Sequence, residues 1–177
     1  MATGEDSGWL KSRFARPFAT GSYARGRVPR RCHMRIYLAC TVRGDRGTVE
    51  AARRISRGLA GLGHEVLTGH LLEENVEQAE AQLTDAAIFE RDVRWLDTCD
   101  ALVAEASGSS FGVGFEVGYV LARAPATRQK VFLLYDANRR SSISRIIPGI
   151  VHPACRVLPY HSIDEIDALL TSAVGPT

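Results

Sequence analysis

From Arg35 onward the chain alternates short apolar runs with segments of helical periodicity, and this alternation limits the fold more than any other feature. The runs that predict strands occupy residues 35–40, 64–68, 101–106, 130–135 and 156–158. Helical spacing or capping signals fall at 47–62, 84–98, 115–123, 144–147 and from Ser162 onward. The acidic stretch 71–82 is poorly periodic and predicts a long loop or a frayed helix. A β-α unit repeated about five times predicts an α/β protein with a parallel sheet and helices on both faces.

The predicted sheet also indicates where a ligand would bind. In parallel sheets of this kind ligands lie beyond the carboxyl ends of the strands, where the strand order reverses. For the common five-strand order 2-1-3-4-5 that crevice lies between the first and third strands. The loops that leave these two strands, 41–47 and 107–114, both contain glycine and hydroxyl side chains. The sequence therefore predicts one site, formed by these two loops.

Composition excludes several classes of protein. The chain has 177 residues, is 45% hydrophobic and 24% charged, and carries a formal net charge of +2, which argues against a general nucleic-acid partner. It has no apolar run long enough to span a membrane, so no membrane partner is expected. The four cysteines are far apart in sequence and form no C-x-x-C pair. We therefore expect no metal site, no cofactor and a reducing, cytoplasmic compartment.

The charge is concentrated at one end. Residues 1–34 contain seven basic and two acidic side chains, a net charge of +5, so residues 35–177 sum to −3. The first segment lacks apolar periodicity and contains Gly, Ser and Pro throughout, which predicts a disordered basic extension. It has no apolar core of a secretory signal. We interpret it either as a tail without function or as the result of a start codon placed upstream of the true start at Met34. A targeting or nucleic-acid role is the alternative. Residues 35–177 are expected to form a single domain.

The loop 107–114 has the composition of an anion site. It leads directly into a predicted helix, whose first N–H groups could bind an anion together with the hydroxyls of Ser107, Ser109 and Ser110. Glycines within it, including Gly112, would let the backbone approach a ligand. The spacing matches neither a P-loop nor the G-x-G-x-x-G fingerprint. A plain Gly/Ser turn remains the alternative.

Two carboxylates stand out from their apolar neighbours. Glu116 is predicted in the first turn of the helix that follows the loop, where it would either stabilise the helix dipole or act as a functional group on a mostly buried helix. Asp92 shares a predicted helix face with Ile88 and Leu96, so it is either paired with an inward hydroxyl or catalytic. Glu90, Arg91 and Arg94 are predicted on the solvated side.

Two further residues have an open interpretation. Tyr37 is core or places its hydroxyl in the cleft, and Arg43 is a surface residue or binds a phosphate. Two carboxylates beside an anion site, without a Ser/His/Asp set, indicate glycosidic-bond chemistry. A phosphate site next to them suits a nucleotide.

Three segments together resemble the nucleoside 2-deoxyribosyltransferase superfamily, and within it the branch of 2′-deoxynucleoside 5′-phosphate N-hydrolases. They are IYLACTVRG at 36–44, FERDVRWL at 89–96 and VAEASGSSFGVGFEVG at 103–118. The resemblance covers about residues 35–150, and the S-x-G-V-G-x-E-x-G stretch is its most specific part. It implies a homodimeric, flavodoxin-like (Rossmann-like) fold and cleavage of the N-glycosidic bond of a (2′-deoxy)nucleoside 5′-monophosphate.

The resemblance also implies roles for individual residues. Glu116 would be the nucleophile that attacks C1′ and forms a glycosyl–enzyme, Asp92 would orient the sugar and assist departure of the base, and Tyr37 would position Glu116. Four residues of the first loop would line the sugar, base and phosphate pocket, namely Thr41, Val42, Arg43 and Gly44. Three others would bind the 5′-phosphate, namely Ser110, Gly112 and, from the partner subunit, Ser144.

Departures from the family pattern leave specificity open. Thr41 stands where the family usually has serine, Val42 replaces isoleucine, and Phe115 often corresponds to tyrosine, so the base and the choice between deoxyribose and ribose are not predicted. Transferases of the family typically carry an acid where Ser110 stands, so Ser110 favours a phosphorylated substrate. The alternatives are a nucleoside 2-deoxyribosyltransferase, a CMP-type ribonucleotide N-hydrolase and a non-catalytic nucleotide-binding module.

Overall fold

A computed structural model describes residues 33–41, 47–73 and 76–175 of the chain. The predicted extension 1–34 lies outside this part except for its last two residues, so its disorder stays a prediction. The elements in chain order are β1 (Arg35–Ala39), α1 (Val49–Gly61), β2 (Glu65–Val66), α2 (Val76–Glu80), α3 (Asp85–Thr98), β3 (Ala101–Glu105), α4 (Phe111–Thr127), β4 (Lys130–Asp136), β5 (Cys155–Tyr160) and α5 (Ile166–Val174). Short 3-10 turns occupy Gly69–Leu72, Ala137–Arg139 and Ile163–Glu165.

The five strands form one parallel sheet in the order β2-β1-β3-β4-β5, which confirms the predicted fold class and strand order. Ala39 of β1 pairs with Ala104 of β3, so the carboxyl ends of these two strands lie side by side. Pro159 has no backbone N–H to donate, and the sheet tolerates it because β5 is an edge strand. The predicted crevice between β1 and β3 is therefore present.

Alternating side chains of the strands pack into two apolar layers. On one face Ile36, Leu38 and Val103 pack with α1 and α5. On the other face Tyr37, Leu102 and Ala104 pack with Leu96 of α3 and the apolar side of α4. β3 is buried over its whole length, and its first four residues are all apolar, as is typical of a strand covered on both faces. The second layer, under α3 and α4, is the one from which the site is built.

The helix starts and ends follow local signals in most cases. Thr84 caps α3 as predicted, with its hydroxyl accepting from the amide of Ala87 at 3.2 Å. The helix α1 ends at Gly61, and Gly63 takes a positive φ of 88° that glycine adopts without strain. In the stretch 71–82, of which 74–75 are outside the described part, the structure has the short helix α2 between turns.

Two predicted helices differ from the structure. The helix expected at 115–123 begins four residues earlier, at Phe111, because Ser110 and not a later residue caps it. The segment 144–147 forms turns and not a helix. Pro148 follows it directly, and a proline disfavours helical backbone in the residue before it. None of the helices in these described segments is long and apolar enough to cross a membrane.

Candidate active site

A cavity of about 410 Å³ opens at the carboxyl end of β1, between α3 and the first turns of α4. Its lining combines carboxylates, which come from three helices, with apolar side chains and the start of α4. The residues that line it include Leu38, Cys40, Leu71, Glu80, Asp85, Ile88, Phe89, Asp92, Ser110, Gly112, Phe115 and Glu116. The cavity brings together Glu116, Asp92, Ser110 and Gly112, four of the residues that the sequence predicted for one site.

Glu116 lies in the second turn of α4, because that helix starts at Phe111, so the expectation of a first-turn position was wrong. A helix-dipole role therefore does not account for it, since that effect fades beyond the first turn. The side chain is partly buried and its Oε1 accepts a hydrogen bond of 2.6 Å from the hydroxyl of Tyr37. Burial raises the pKa of Glu116 to about 7, the bond from Tyr37 opposes this rise, and the nearby charge of Asp92 adds to it.

Tyr37 is fully buried in β1, on the face of the sheet that α3 and α4 cover. Its ring is core, as one of the two interpretations had it, and its hydroxyl donates to Glu116, which lines the cavity. Tyr37 itself is not a lining residue, so it reaches the cavity only through this bond. Burial and the carboxylate of Glu116 raise the pKa of the Tyr37 hydroxyl far above its usual range, so the phenol remains a donor at all ordinary pH values.

Asp92 points into the cavity from α3, as its helix face predicted, but its partner is not a hydroxyl. The Nε of Arg91 donates to Asp92 Oδ1 at 2.9 Å, and the terminal nitrogen of Arg91 donates to Glu80 Oε1 at 2.7 Å. The guanidinium also lies over the ring of Trp95, 4.9 Å from its centre. The prediction of Arg91 on a solvated face was wrong, because these three contacts keep it mostly buried.

The start of α4 forms the second polar wall of the cavity. Ser110 caps the helix, its hydroxyl accepting from the amide of Val113 at 3.3 Å, which leaves its own proton to donate. The first N–H groups of a helix have no partner within it and point toward an incoming anion. Gly112 lines the cavity, and a side chain there would stand close to the Ser110 hydroxyl. Ser110 and Gly112, two of the residues predicted for an anion site, thus lie together at this end of the helix.

The other predicted ligand residues are placed differently. The Thr41 hydroxyl is buried and has no hydrogen-bond partner within the described part of the chain. Val42, Arg43 and Gly44 lie outside the described residues, so their roles stay predictions. Ser144 is exposed and does not line the cavity of this protomer.

Sequence reasoning missed several residues of the cavity. Glu80 comes from the stretch 71–82 that showed no clear periodicity, and Asp85 from the first turn of α3. Phe89 and Phe115 contribute rings 6.1 Å apart at the rim. Arg91 does not line the cavity but holds two of its carboxylates, and its position next to Asp92 in the sequence does not by itself reveal the second partner, Glu80.

The cavity therefore combines a carboxylate of raised pKa that a phenol holds, a second carboxylate that an arginine holds, and the start of a helix capped by Ser110. A carboxylate fixed in this way can attack an electrophilic carbon, and the second can stabilise positive charge that develops on a sugar ring.

Comparison with known proteins adds independent information. The family model described as Nucleoside 2-deoxyribosyltransferase matches residues 36–155. A protein of Thermofilum pendens, provisionally named 2′-deoxynucleoside 5′-phosphate N-hydrolase 1, is 37% identical over 145 residues, which are 80% of this chain and 98% of that protein. The 5-hydroxymethyl-dUMP N-hydrolase of Esox lucius is 33% identical over 141 residues, covering 77% of this chain and 93% of that protein.

Among solved structures, the CMP N-glycosidase of Clostridium botulinum superposes with a TM-score of 0.55 at 18% identity, covering 78% of this chain and 98% of that one. This likeness shows the shared fold. The family match spans the sheet from β1 to the start of β5 and includes every residue that lines the cavity. The chain belongs to the nucleoside 2-deoxyribosyltransferase family.

Proposed function

We propose that the protein is an enzyme that hydrolyses the N-glycosidic bond of (2′-deoxy)nucleoside 5′-monophosphates, giving the free base and (deoxy)ribose 5-phosphate. The observation that carries the proposal is the carboxylate of Glu116, held by Tyr37 inside a cavity that the start of α4 also lines. The relatives in Thermofilum pendens and Esox lucius, whose names denote nucleotide N-hydrolases, support the same reaction class.

In the first step Glu116 acts as the nucleophile. Its ionised carboxylate forms a bond to C1′ of the sugar while the bond from C1′ to the base nitrogen breaks, and the electron pair leaves with the base, which takes up a proton from solvent. The carboxylate of Asp92 stabilises the positive charge that develops on the sugar ring and orients its hydroxyl groups. Arg91 pairs with Oδ1 of Asp92, and the other oxygen faces the sugar in this proposal.

In the second step water attacks C1′ of the glycosyl–enzyme. The bond between C1′ and the Glu116 oxygen breaks, the water gives up one proton to solvent and leaves its hydroxyl on C1′, and the carboxylate is restored. Tyr37 takes part in neither bond change. Its hydrogen bond holds the Glu116 oxygens in one orientation and favours the ionised form of the carboxyl group.

The 5′-phosphate is the group that the start of α4 would bind. The Ser110 hydroxyl donates to it, and the backbone at Gly112 approaches it without a side chain in the way. Thr41, Val42, Arg43 and Gly44 complete the sugar, base and phosphate pocket in this proposal. The neutral Ser110 is the feature that favours a phosphorylated substrate over the unphosphorylated nucleoside that a transferase would use.

A panel of four substrates tests the proposal. The protein is incubated with dGMP, dCMP, GMP and deoxyguanosine, each with and without free adenine, and the released base is measured by chromatography. We expect base release from a nucleoside monophosphate and no requirement for adenine. Activity confined to deoxyguanosine, or the appearance of an adenine nucleoside, would instead indicate a deoxyribosyltransferase. A preference for GMP over the deoxynucleotides would indicate a ribonucleotide N-hydrolase.

Two variants separate an enzyme from a nucleotide-binding module. Glu116→Gln is expected to lower the rate of base release by a factor on the order of 10³ or more, since it removes the nucleophile. Glu90→Gln, an exposed glutamate of α3, is the matched control and should keep the wild-type rate. A Glu116→Gln protein with unchanged turnover would refute Glu116 as the nucleophile.

We also propose that the protein is a homodimer in which Ser144 of each protomer completes the phosphate site of the other. Two observations support this arrangement. Ser144 is exposed and lies outside the cavity of its own protomer. Phe89, Phe111 and Phe115 are large apolar side chains that stand exposed beside the cavity, and Phe111 is entirely exposed. A second copy on this face would cover them.

A further inference from the structure

Glu105, the last residue of β3, is fully buried although the reaction proposed above does not use it. It follows Val103 by two positions, so its side chain lies on the face of the sheet covered by α1 and α5, opposite to Glu116. A buried carboxylate costs several kcal/mol unless hydrogen bonds compensate. Its presence therefore needs a physical reason.

Four donors satisfy this carboxylate. The amide of Ser107 lies 3.3 Å from each oxygen, and the Ser107 hydroxyl donates to Oε1. The hydroxyl of Tyr160 in β5 donates to the same oxygen at 2.9 Å. The hydroxyl of Thr48 also bonds to it, and does not cap α1 although Thr48 precedes that helix. Burial raises the pKa of Glu105, and the bonds from Ser107, Thr48 and Tyr160 oppose that rise.

These partners begin or end the connections that carry the proposed ligand residues. Thr48 ends the connection from β1, which contains Thr41 to Gly44. Ser107 begins the connection that ends at Ser110. The Ser107 hydroxyl in turn accepts from the amide of Asp136 at 2.7 Å, at the end of β4, where the segment leading to Ser144 starts. One carboxylate is thus joined to all three connections, two directly and one through Ser107.

We infer that Glu105 is a positioning residue that fixes the described ends of these connections, at Thr48, Ser107 and Asp136, and thereby the start of α4 at the proposed phosphate site. The inference rests on the proposed function for its effect on turnover, but not for its effect on the connections themselves. Glu105 touches neither the cavity nor the reacting atoms. Its loss should therefore weaken the binding of the nucleotide more than it slows the chemical step.

The test compares Glu105→Gln with Tyr160→Phe. Glu105→Gln replaces a carboxylate oxygen by an amide group that faces the donors of Thr48 and Ser107. Tyr160→Phe removes one hydrogen bond to Glu105, and Tyr160 belongs to β5, which carries none of the proposed ligand residues. We expect Glu105→Gln to raise KM for the nucleoside monophosphate about tenfold or more with kcat changed less than about threefold. Tyr160→Phe should lower thermal stability yet leave KM within about twofold.

Amide hydrogen exchange in the ligand-free protein supplies a readout that does not depend on activity. Peptides covering 105–113 and 135–145 should exchange about tenfold faster in Glu105→Gln and at the wild-type rate in Tyr160→Phe. Unchanged exchange in Glu105→Gln, or equal effects of both variants, would overturn the inference. If the wild type releases no base from any nucleotide, the proposed function fails while the exchange experiment still decides this inference.

Should Glu105→Gln not fold, Thr48→Val takes its place. It keeps the size of the side chain and removes only the hydroxyl, which has no capping bond to lose. Faster exchange at 105–113 and a KM raised at least about threefold support the positioning role. Wild-type behaviour of Thr48→Val contradicts it.

Discussion

At the scale of single residues, the pair of Glu116 and Tyr37 determines how the proposed reaction depends on pH. The nucleophile must be ionised, and burial raises the pKa of Glu116 to about 7. The value of kcat/KM should therefore fall about tenfold per pH unit below about pH 7. Tyr37→Phe removes a bond that lowers this pKa, so the acid limb should move to higher pH by up to about one unit.

Asp92→Asn should move the same limb in the opposite direction, because it removes a negative charge that raises the pKa of Glu116. Its activity should also be much lower. The measurement is the pH profile of the residual kcat/KM for both variants. Shifts of the same sign in the two variants would contradict the assigned causes.

The raised pKa of Glu116 also predicts a stability effect. A folded-state pKa above the unfolded value means that the native protein binds the proton more tightly, so the charged form destabilises the fold above about pH 7 and this cost is absent below about pH 4.5. Glu116→Gln should raise the free energy of unfolding by about 1–3 kcal/mol at pH 8. At pH 4.5 the two proteins should unfold at similar temperatures.

Thermal unfolding followed by circular dichroism at both pH values provides the check. The glutamine oxygen can still accept from the Tyr37 hydroxyl, so the comparison isolates the charge. A variant that is less stable than the wild type at pH 8 would show that burial does not strain this carboxylate.

At the scale of elements, one residue at the start of α4, Ser110, has both a structural role and a proposed binding role. Ser110 caps the helix and faces the proposed phosphate site. Ser110→Asp separates them, since aspartate is at least as good a cap and favours the helix dipole, but repels a phosphate. We expect unchanged or slightly higher stability and a KM for dGMP raised about tenfold or more, with any turnover of deoxyguanosine unaffected.

Ser110→Thr is the matched control, because it keeps both the hydroxyl and the cap. Its KM for dGMP should remain within a few-fold of the wild type. If Ser110→Asp binds dGMP as well as Ser110→Thr does, the phosphate lies elsewhere and the start of α4 serves structure alone.

At the scale of the whole molecule, the proposed dimer predicts that two defective proteins can repair each other. Glu116→Gln lacks the nucleophile and Ser144→Ala lacks the hydroxyl proposed to act across the interface. In a mixed dimer one of the two sites has Glu116 from one protomer and Ser144 from the other, and is intact. Since about half of the dimers are mixed when equal amounts pair at random, about a quarter of all sites should be intact. Mixing should therefore raise base release at low substrate concentration above the average of the separate proteins.

Light scattering after size exclusion supplies the accompanying measurement. The wild type should elute as a dimer, and Phe111→Ser should weaken the dimer because it removes an entirely exposed ring from the proposed interface. A wild-type protein that stays monomeric, or a mixture without added activity, would refute the exchange of Ser144 between protomers.

Local patterns were sufficient for the architecture and for part of the site. Strand runs buried on both faces and the helices between them permit few arrangements, and the observed strand order is the predicted one. Ser110 and Gly112 were recognisable as candidates because hydroxyls and glycines near a helix start have a local meaning, and both line the cavity. The start of α4 was misplaced by four residues, and with it the turn that holds Glu116, because phenylalanine and glycine at the start of a helix carry a weak helix signal.

Contacts between distant segments determined the rest. Tyr37 and Glu116 are 79 positions apart and meet only because β1 lies under α4, and their hydrogen bond gives the carboxyl group its environment. Arg91 turns inward because Glu80 and Asp92 are both within reach, which no periodicity reveals. Glu105 acquires its partners from two connections and a distant strand. Alternation and capping follow from the chemistry of neighbouring residues, whereas the charge state and orientation of a buried group depend on what the folded chain places around it.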